Sequence, residues 1–222
     1  MRLGAAIFDL DGTLIDTLED LADALNRVLG RRGFPAHDYD EYKLLIGHGI
    51  RRLVTDALPD AARSAATVDA CHQEMFADYG EHCLVKTRPY AGVAELLEQL
   101  RARGLPLAVF SNKADVFTQR LAAALFPAGT FAVVLGARPD LPLKPDPAGA
   151  LLIARRLGVE PAETVYLGDS GTDMTTATAA AMIAVGVTWG FRSPDELLEN
   201  GAVTLLDRPA QLLELASAWS VG

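Results

Sequence analysis

The chain reads as an α/β protein: a Rossmann-like parallel sheet with helices on both faces, plus an inserted all-α segment. Three observations predict this. Short apolar runs bounded by turn residues alternate with helical patterns over most of the chain. One stretch, from about Asp16 to Val85, has no convincing strand and repeats its apolar residues at helical spacing. Polar, acid-rich motifs follow the ends of the apolar runs, where an open parallel sheet forms its ligand crevice.

The elements follow in order. The first run, Ala5–Asp9, reads as a buried strand that Gly12 and Thr13 break into a loop. Leu18, Leu21, Ala22, Leu25 and Leu29 then mark one face of a helix. Further helical stretches are expected at Tyr39–Leu45, Gly49–Leu58 and Val68–His82. Later strand candidates are Leu105–Phe110, Phe131–Leu135, Thr164–Gly168, Met182–Val187 and Val203–Leu206. Between and after them, helices are expected at Ala91–Arg103, Asp115–Leu125, Pro147–Leu157, Asp173–Ala180, Pro194–Glu199 and Pro209–Ala218, with Gly104 and Gly158 as stops. This divides the chain into a core domain of residues 1–15 and 86–222 and a helical insert of residues 16–85. The linkers fall near Ile15–Asp16 and Lys86–Tyr90. The alanine-rich stretches Ala61–Ala66 and Thr175–Ala181 read as helix formers, and there is no internal repeat.

The 222 residues are long enough for a large domain or a core with a small insert. Hydrophobic residues at 50% and charged residues at 22% are those of a globular protein. A net charge of -9 argues against general binding to nucleic acid or anionic membranes, but not against an anionic substrate held by local cations. No apolar run reaches the length of a membrane span. Cys71 and Cys83 read as core filler, and with no signal peptide in view a cytoplasmic location is expected.

Asp9 and Asp11 stand one residue apart at the end of a buried strand. They would repel each other unless a cation sits nearby, and a divalent ion with oxygen ligands answers that need. Ser111 and Asn112 after the second strand suit either a helix cap or hydrogen bonds to phosphate oxygens; Lys113 beside them is open between a solvated neighbour and the substrate entrance. Lys144 lies between prolines in a stiffened loop. Asp169 ends a strand. Asp173 opens the next helix, where an acid also suits the dipole.

The wording F-D-L-D-G-T-L-I-D-T from Phe8 resembles the opening motif of the haloacid dehalogenase-like hydrolases. L-A-V-F-S-N-K at Leu107–Lys113, Lys144-Pro145 and Y-L-G-D-S-G-T-D at Tyr166–Asp173 match the same superfamily in order. The resemblance implies a helical cap inserted after the first motif, magnesium as cofactor, and an aspartyl-phosphate intermediate. It makes Asp9 the nucleophile and a metal ligand. It makes Asp11 the general acid and base, with its backbone carbonyl on the metal, and Lys144 the neutraliser of phosphate and nucleophile. Asp169 becomes a direct metal ligand and Asp173 an outer or water-mediated one. Ser111, Asn112, Gly12 and Thr13 join Lys144 around the substrate. Dehalogenases of the superfamily lack the second aspartate, so Asp11 favours phosphoryl transfer. Gly136-Ala137-Arg138-Pro139-Asp140 departs from the commoner Gly-Gly-Asp wording. Ala180-Ala181-Met182 stands where many relatives have Ala-Gly, with only a packing consequence expected.

Within the superfamily, I-G-H-G-I-R-R-L-V at Ile46–Val54, P-Y-A-G-V-A-E-L-L at Pro89–Leu97 and W-G-F at Trp189–Phe191 are similar to phosphoglycolate phosphatases. A small phosphorylated metabolite is therefore the expected partner, phosphoglycolate first. His48, with Arg51 or Arg52, is a candidate for the substrate carboxylate. The alternatives are a phosphatase for sugar phosphates, pyrophosphate or nucleotides, a phosphomutase, and a phosphate-binding module without turnover. The chain is expected to be a monomer or homodimer.

Overall fold

A computed structural model describes residues 3–219. Its frame is a six-stranded parallel sheet in the order β5-β4-β1-β6-β7-β8. The strands are β1 (Ala5–Phe8), β4 (Leu107–Ala114), β5 (Val133–Ala137), β6 (Thr164–Gly168), β7 (Ile183–Val187) and β8 (Thr204–Leu206). Successive side chains of a strand point to opposite faces, and this sorts the core into two layers. Ala6, Phe8, Leu107, Val109, Val165 and Leu167 face one way. There they meet α5 (Val93–Ala102), α6 (Asp115–Leu125) and α10 (Gln211–Trp219) through Leu97, Phe117 and Leu212. Ile7, Ala108, Phe110 and Tyr166 face the other way. They meet α7 (Ala148–Leu157), α8 (Gly171–Ala179) and α9 (Pro194–Glu199) through Ile153, Met174 and Leu197. Both faces are covered, so the strands read as continuous apolar runs rather than as alternation.

β1 lies between β4 and β6, and from it the chain builds outward in both directions. That reversal is the topological switch point where such sheets bind ligands. The carboxyl ends of β1, β4 and β6 carry three of the sequence motifs to it.

Between β1 and β4 run α1 (Leu18–Arg31), α2 (Tyr39–Leu45), α3 (Ile50–Ala57) and α4 (Ala65–His82). The buried stripe of α1 contains Leu18, Leu21, Ala22, Leu25 and Leu29. α2 opens with a capping box between Asp38 and Glu41. α4 begins three residues before the expected Val68, because the Ser64 side chain accepts from Thr67 N and caps it. Cys71 and Cys83 are buried free thiols, as expected.

The two linkers pair with each other. β2 (Ile15–Asp16) and β3 (Arg88–Pro89) form an antiparallel ribbon. The buried Asp20 carboxylate holds it from one side, accepting from Lys86 N at 3.0 Å, Thr87 N at 2.8 Å and Thr87 Oγ1 at 2.7 Å. Two-residue strands leave no periodic trace in a sequence, which is why this ribbon was not anticipated.

Two expectations are corrected. β4 does not stop at Phe110: it runs through Ser111, Asn112 and Lys113 with a register shift against β5, so neither Ser111 nor Asn112 caps α6. Ala181 has more than a packing consequence. It follows α8 with φ 56°, in the left-handed region where a Cβ is unfavourable and glycine is at ease.

Candidate active site

Asp9 follows the central strand directly, and its backbone N–H donates to Leu167 O of β6 at 2.9 Å, which fixes it at the switch point. Lys144 Nζ lies 2.8 Å from Asp9 Oδ1 and 2.6 Å from Asp173 Oδ1. Asp9, Asp169 and Asp173 are all buried, and each offers a carboxylate oxygen within 4.8 Å of the others. Burial, and then the charge of Asp173, pushes the Asp9 carboxyl well above the usual carboxylate range. The same causes raise Asp169 to about 7. Burial works to lower the proton affinity of Lys144, but Asp173 and Asp9 outweigh it and hold its pKa well above the ordinary lysine value.

Three buried carboxylates against one ammonium leave uncompensated negative charge. Its oxygen donors suit a hard divalent cation. Asp9 and Asp169 have the freer geometry for one. Asp173 already accepts from Lys144 and from Ser170 Oγ at 2.6 Å. It also completes the capping box of α8 with Ser170, so its capping and site roles coexist.

Asp169 is held from several sides. Its Oδ1 accepts from Thr13 Oγ1 at 3.1 Å and its Oδ2 from Phe191 N at 2.8 Å. Gly12 has φ +83°, and a Cβ there would come within 2.2 Å of Asp169 Oδ2. Gly12 and Thr13, expected near substrate, therefore shape the seat of Asp169 and do not line the pocket.

The Asp11 carboxylate stands apart from the cluster. Its Oδ1 accepts from Thr17 Oγ1 at 2.8 Å, and Lys113 Nζ reaches both oxygens at 2.9 and 3.1 Å. The Lys113 side chain is 2% exposed, and its ammonium sits 4.6 Å from the ring centroid of Tyr79 in α4. Lys113 is thus an inward-facing part of the site, a placement that the sequence left open. Ser111 lines the pocket, and its Oγ accepts from Lys113 N. Asn112 also lines it, but its amide is spent on backbone: Nδ2 donates to Gly47 O and Lys144 O at 3.1 Å each, and Oδ1 accepts from Lys144 N at 2.8 Å. Asn112 therefore positions Lys144 and ties it to the insert.

His48 is not brought in. It is exposed and lies outside the pocket lining, while Gly47 and Gly49 beside it face inward with φ of 124° and 81°. The backbone of this loop, not its side chain, approaches Asn112. Arg51 and Arg52 are paired outward, with Asp69 and Asp56. Sequence reasoning missed Arg192, which lines the pocket and donates to the carbonyls of Lys43, Leu44 and Ile46 at the end of α2. Only the W-G-F wording just before it hinted at this segment.

The chain matches the family model described as haloacid dehalogenase-like hydrolase over residues 6–187. It belongs to the haloacid dehalogenase-like hydrolases, in the phosphoglycolate phosphatase-like group. A phosphoglycolate phosphatase of Thiobacillus denitrificans is 35% identical over 225 residues, covering 98% of this chain and 95% of that one. An N-acetylmuramic acid 6-phosphate phosphatase of Pseudomonas aeruginosa is 30% identical, covering 97% and 95%. The crystal structure of a predicted phosphoglycolate phosphatase from Haemophilus somnus superposes with TM-score 0.89 at 28% identity, covering 97% of this chain and 98% of that one. Among the described residues of this hydrolase, no helix is long and apolar enough to cross a membrane.

Proposed function

We propose that this hydrolase is a magnesium-dependent phosphomonoesterase that works through an aspartyl-phosphate on Asp9. Its favoured substrate is phosphoglycolate or a similarly small phosphorylated organic acid. The observation that carries the reading is the Asp9–Lys144 contact at 2.8 Å beside Asp169, at the end of the central strand. A carboxylate so placed is a nucleophile with its charge already partnered. The names of both curated relatives refer to phosphate esters of organic acids, which supports the substrate class.

Asp9, Asp169 and, through Asp173, the base of α8 would hold magnesium, with the Asp11 carbonyl as a further ligand. The ion would supply charge neutralisation for the phosphoryl oxygens. Lys144 holds the Asp9 carboxylate in place and offsets charge that builds on the phosphoryl group. Asn112 holds Lys144. Asp9 attacks phosphorus, forming one O–P bond as the ester O–P bond breaks, and Asp11 delivers a proton to the leaving oxygen. Asp11 then takes a proton from the water that hydrolyses the acyl phosphate. Residues 16–85 act as a cap over the core of residues 1–15 and 86–222, closing to exclude water.

The test is phosphate release from phosphoglycolate, hexose phosphates, pyrophosphate and nucleotides, with magnesium and with chelator. Magnesium-dependent release that is fastest from phosphoglycolate is the expected result. Turnover unaffected by chelator, or confined to nucleotides, would contradict the proposal.

A further inference from the structure

Two groups have no role in this mechanism as the structure holds them: the buried Lys113, and the Asp11 carboxylate it keeps away from the Asp9 cluster. Three cationic residues line the pocket: Lys113, Lys144 and Arg192. Lys144 is committed to Asp9 and Asp173. Arg192 is committed to three carbonyls at the end of α2 and to Glu196 at 3.6 Å. The insert lines the pocket with Leu21, Ile46, Ile50, Leu53 and two glycines, none of them ionisable. An anionic group on the leaving part of a substrate therefore has one cation whose partner can move. That cation is Lys113, and the partner is Asp11.

We infer that Lys113 selects substrates by partner exchange, giving up the Asp11 carboxylate and taking a carboxylate on the leaving group of the substrate. This rests on the phosphomonoesterase reading above. Lys113 Nζ engages both Asp11 oxygens and Thr17 Oγ1 also donates to Oδ1, so neither oxygen is free to meet a leaving oxygen while the pair holds. Asp11 must part from Lys113 before it serves as the acid. A buried ammonium left without a counter-charge is strongly unfavourable, so separation needs a substitute anion. The Tyr79 face, 4.6 Å from Nζ, holds the ammonium in place meanwhile.

The substrate carboxylate is that substitute. Freed Asp11 turns toward the ester oxygen to act as the acid described above. It passes a proton on as the ester O–P bond breaks and the Asp9 O–P bond forms, then recovers one from the attacking water. A neutral leaving group leaves Asp11 locked to Lys113. Lys113 is thus a specificity residue whose effect falls on turnover as well as on binding.

The experiment compares kcat/KM for phosphoglycolate with that for ethyl phosphate, which keeps the chain length and lacks the carboxylate. It uses the full chain with magnesium, in the wild type, Lys113→Met and Lys113→Arg. The expected wild-type preference for phosphoglycolate is about 100-fold or more, the order seen when a site built for a polar group meets an analogue lacking it. In Lys113→Met the preference should collapse to within about 3-fold, and Lys113→Arg should restore part of it. Calorimetric binding of phosphonopropionate against propylphosphonate, read alongside circular dichroism of each variant, gives the same ratio without turnover. If Lys113→Met slows both esters by one common factor, Lys113 merely positions Asp11 and the inference fails. If the wild type hydrolyses both esters equally, the phosphomonoesterase reading stands and partner exchange falls. If it hydrolyses neither while cleaving sugar phosphates or nucleotides, the small-acid reading itself fails and this inference goes with it.

Discussion

Asp20→Ala is the sharpest test of how the two linkers are joined. The carboxylate is buried and accepts from three donors in Lys86 and Thr87, at 2.7 to 3.0 Å. Hydrogen bonds to a charged group contribute about 1.5–3 kcal/mol each, and a buried donor left unsatisfied costs about 1–3 kcal/mol. The three donors share one acceptor and will not add independently, so a loss of about 3–5 kcal/mol is expected. For a chain of this size that lowers the thermal midpoint by roughly 6–20 °C. Asp20→Asn keeps the shape and one acceptor oxygen and should lose about half as much. Urea unfolding followed by near- and far-ultraviolet circular dichroism measures both variants. The inserted helices and the sheet should lose cooperativity in Asp20→Ala, giving separate transitions for the two signals. A single transition within about 1 kcal/mol of wild type would refute the reasoning.

Ala181→Gly should raise the thermal midpoint by about 2–4 °C, since relief of a left-handed alanine is worth roughly 1 kcal/mol net of the added backbone freedom; differential scanning calorimetry measures it. Asp169 titrates near 7 in the folded, metal-free protein against an ordinary value of 3.8. Between these values the folded state holds a proton that the unfolded state has lost, so stability falls as pH rises from about 4 to 7. Thermal midpoints in chelator, taken as the difference between wild type and Asp169→Asn, should fall across that window. Saturating magnesium should flatten the fall and stabilise the fold at pH 7, by about 2.7 kcal/mol at roughly 100 times Kd, which raises the midpoint. A difference that is flat in chelator contradicts the assignment of Asp169.

Much of the fold was legible in the sequence because the sheet is buried on both faces. Runs such as Ala5–Phe8 and Thr164–Gly168 have few other readings, and α6 and α9 match their expected bounds. Asp9, Asp11 and Asp169 were legible for a different reason: charged residues at the ends of apolar strands need partners, and the sheet order brings them to one crevice, whereas Lys144, in the loop between β5 and α7, was legible only through its match to the family motif. What escaped notice depends on contacts far apart in sequence. Lys113 read equally as a solvated neighbour or as part of the substrate entrance, and only its contacts with Asp11 and Tyr79 make it an inward one. Asn112 looked like a phosphate donor, but its amide is consumed by Lys144 and Gly47. His48 carried a plausible chemistry, yet the two glycines around it turn the backbone, not the ring, toward the site. Arg192 had no signal beyond the W-G-F before it, because its hydrogen-bond partners are carbonyls, which every residue has.

The central claim is that Asp9 is the nucleophile. The most direct measurement is an acid quench during turnover of phosphoglycolate with magnesium, followed by mass spectrometry of the peptide containing Asp9. The account predicts one hydroxylamine-labile phosphoryl group on Asp9, absent from Asp9→Asn, which should also release no phosphate. Full-rate phosphate release with Asp9 unlabelled, or undiminished release by Asp9→Asn, would contradict it.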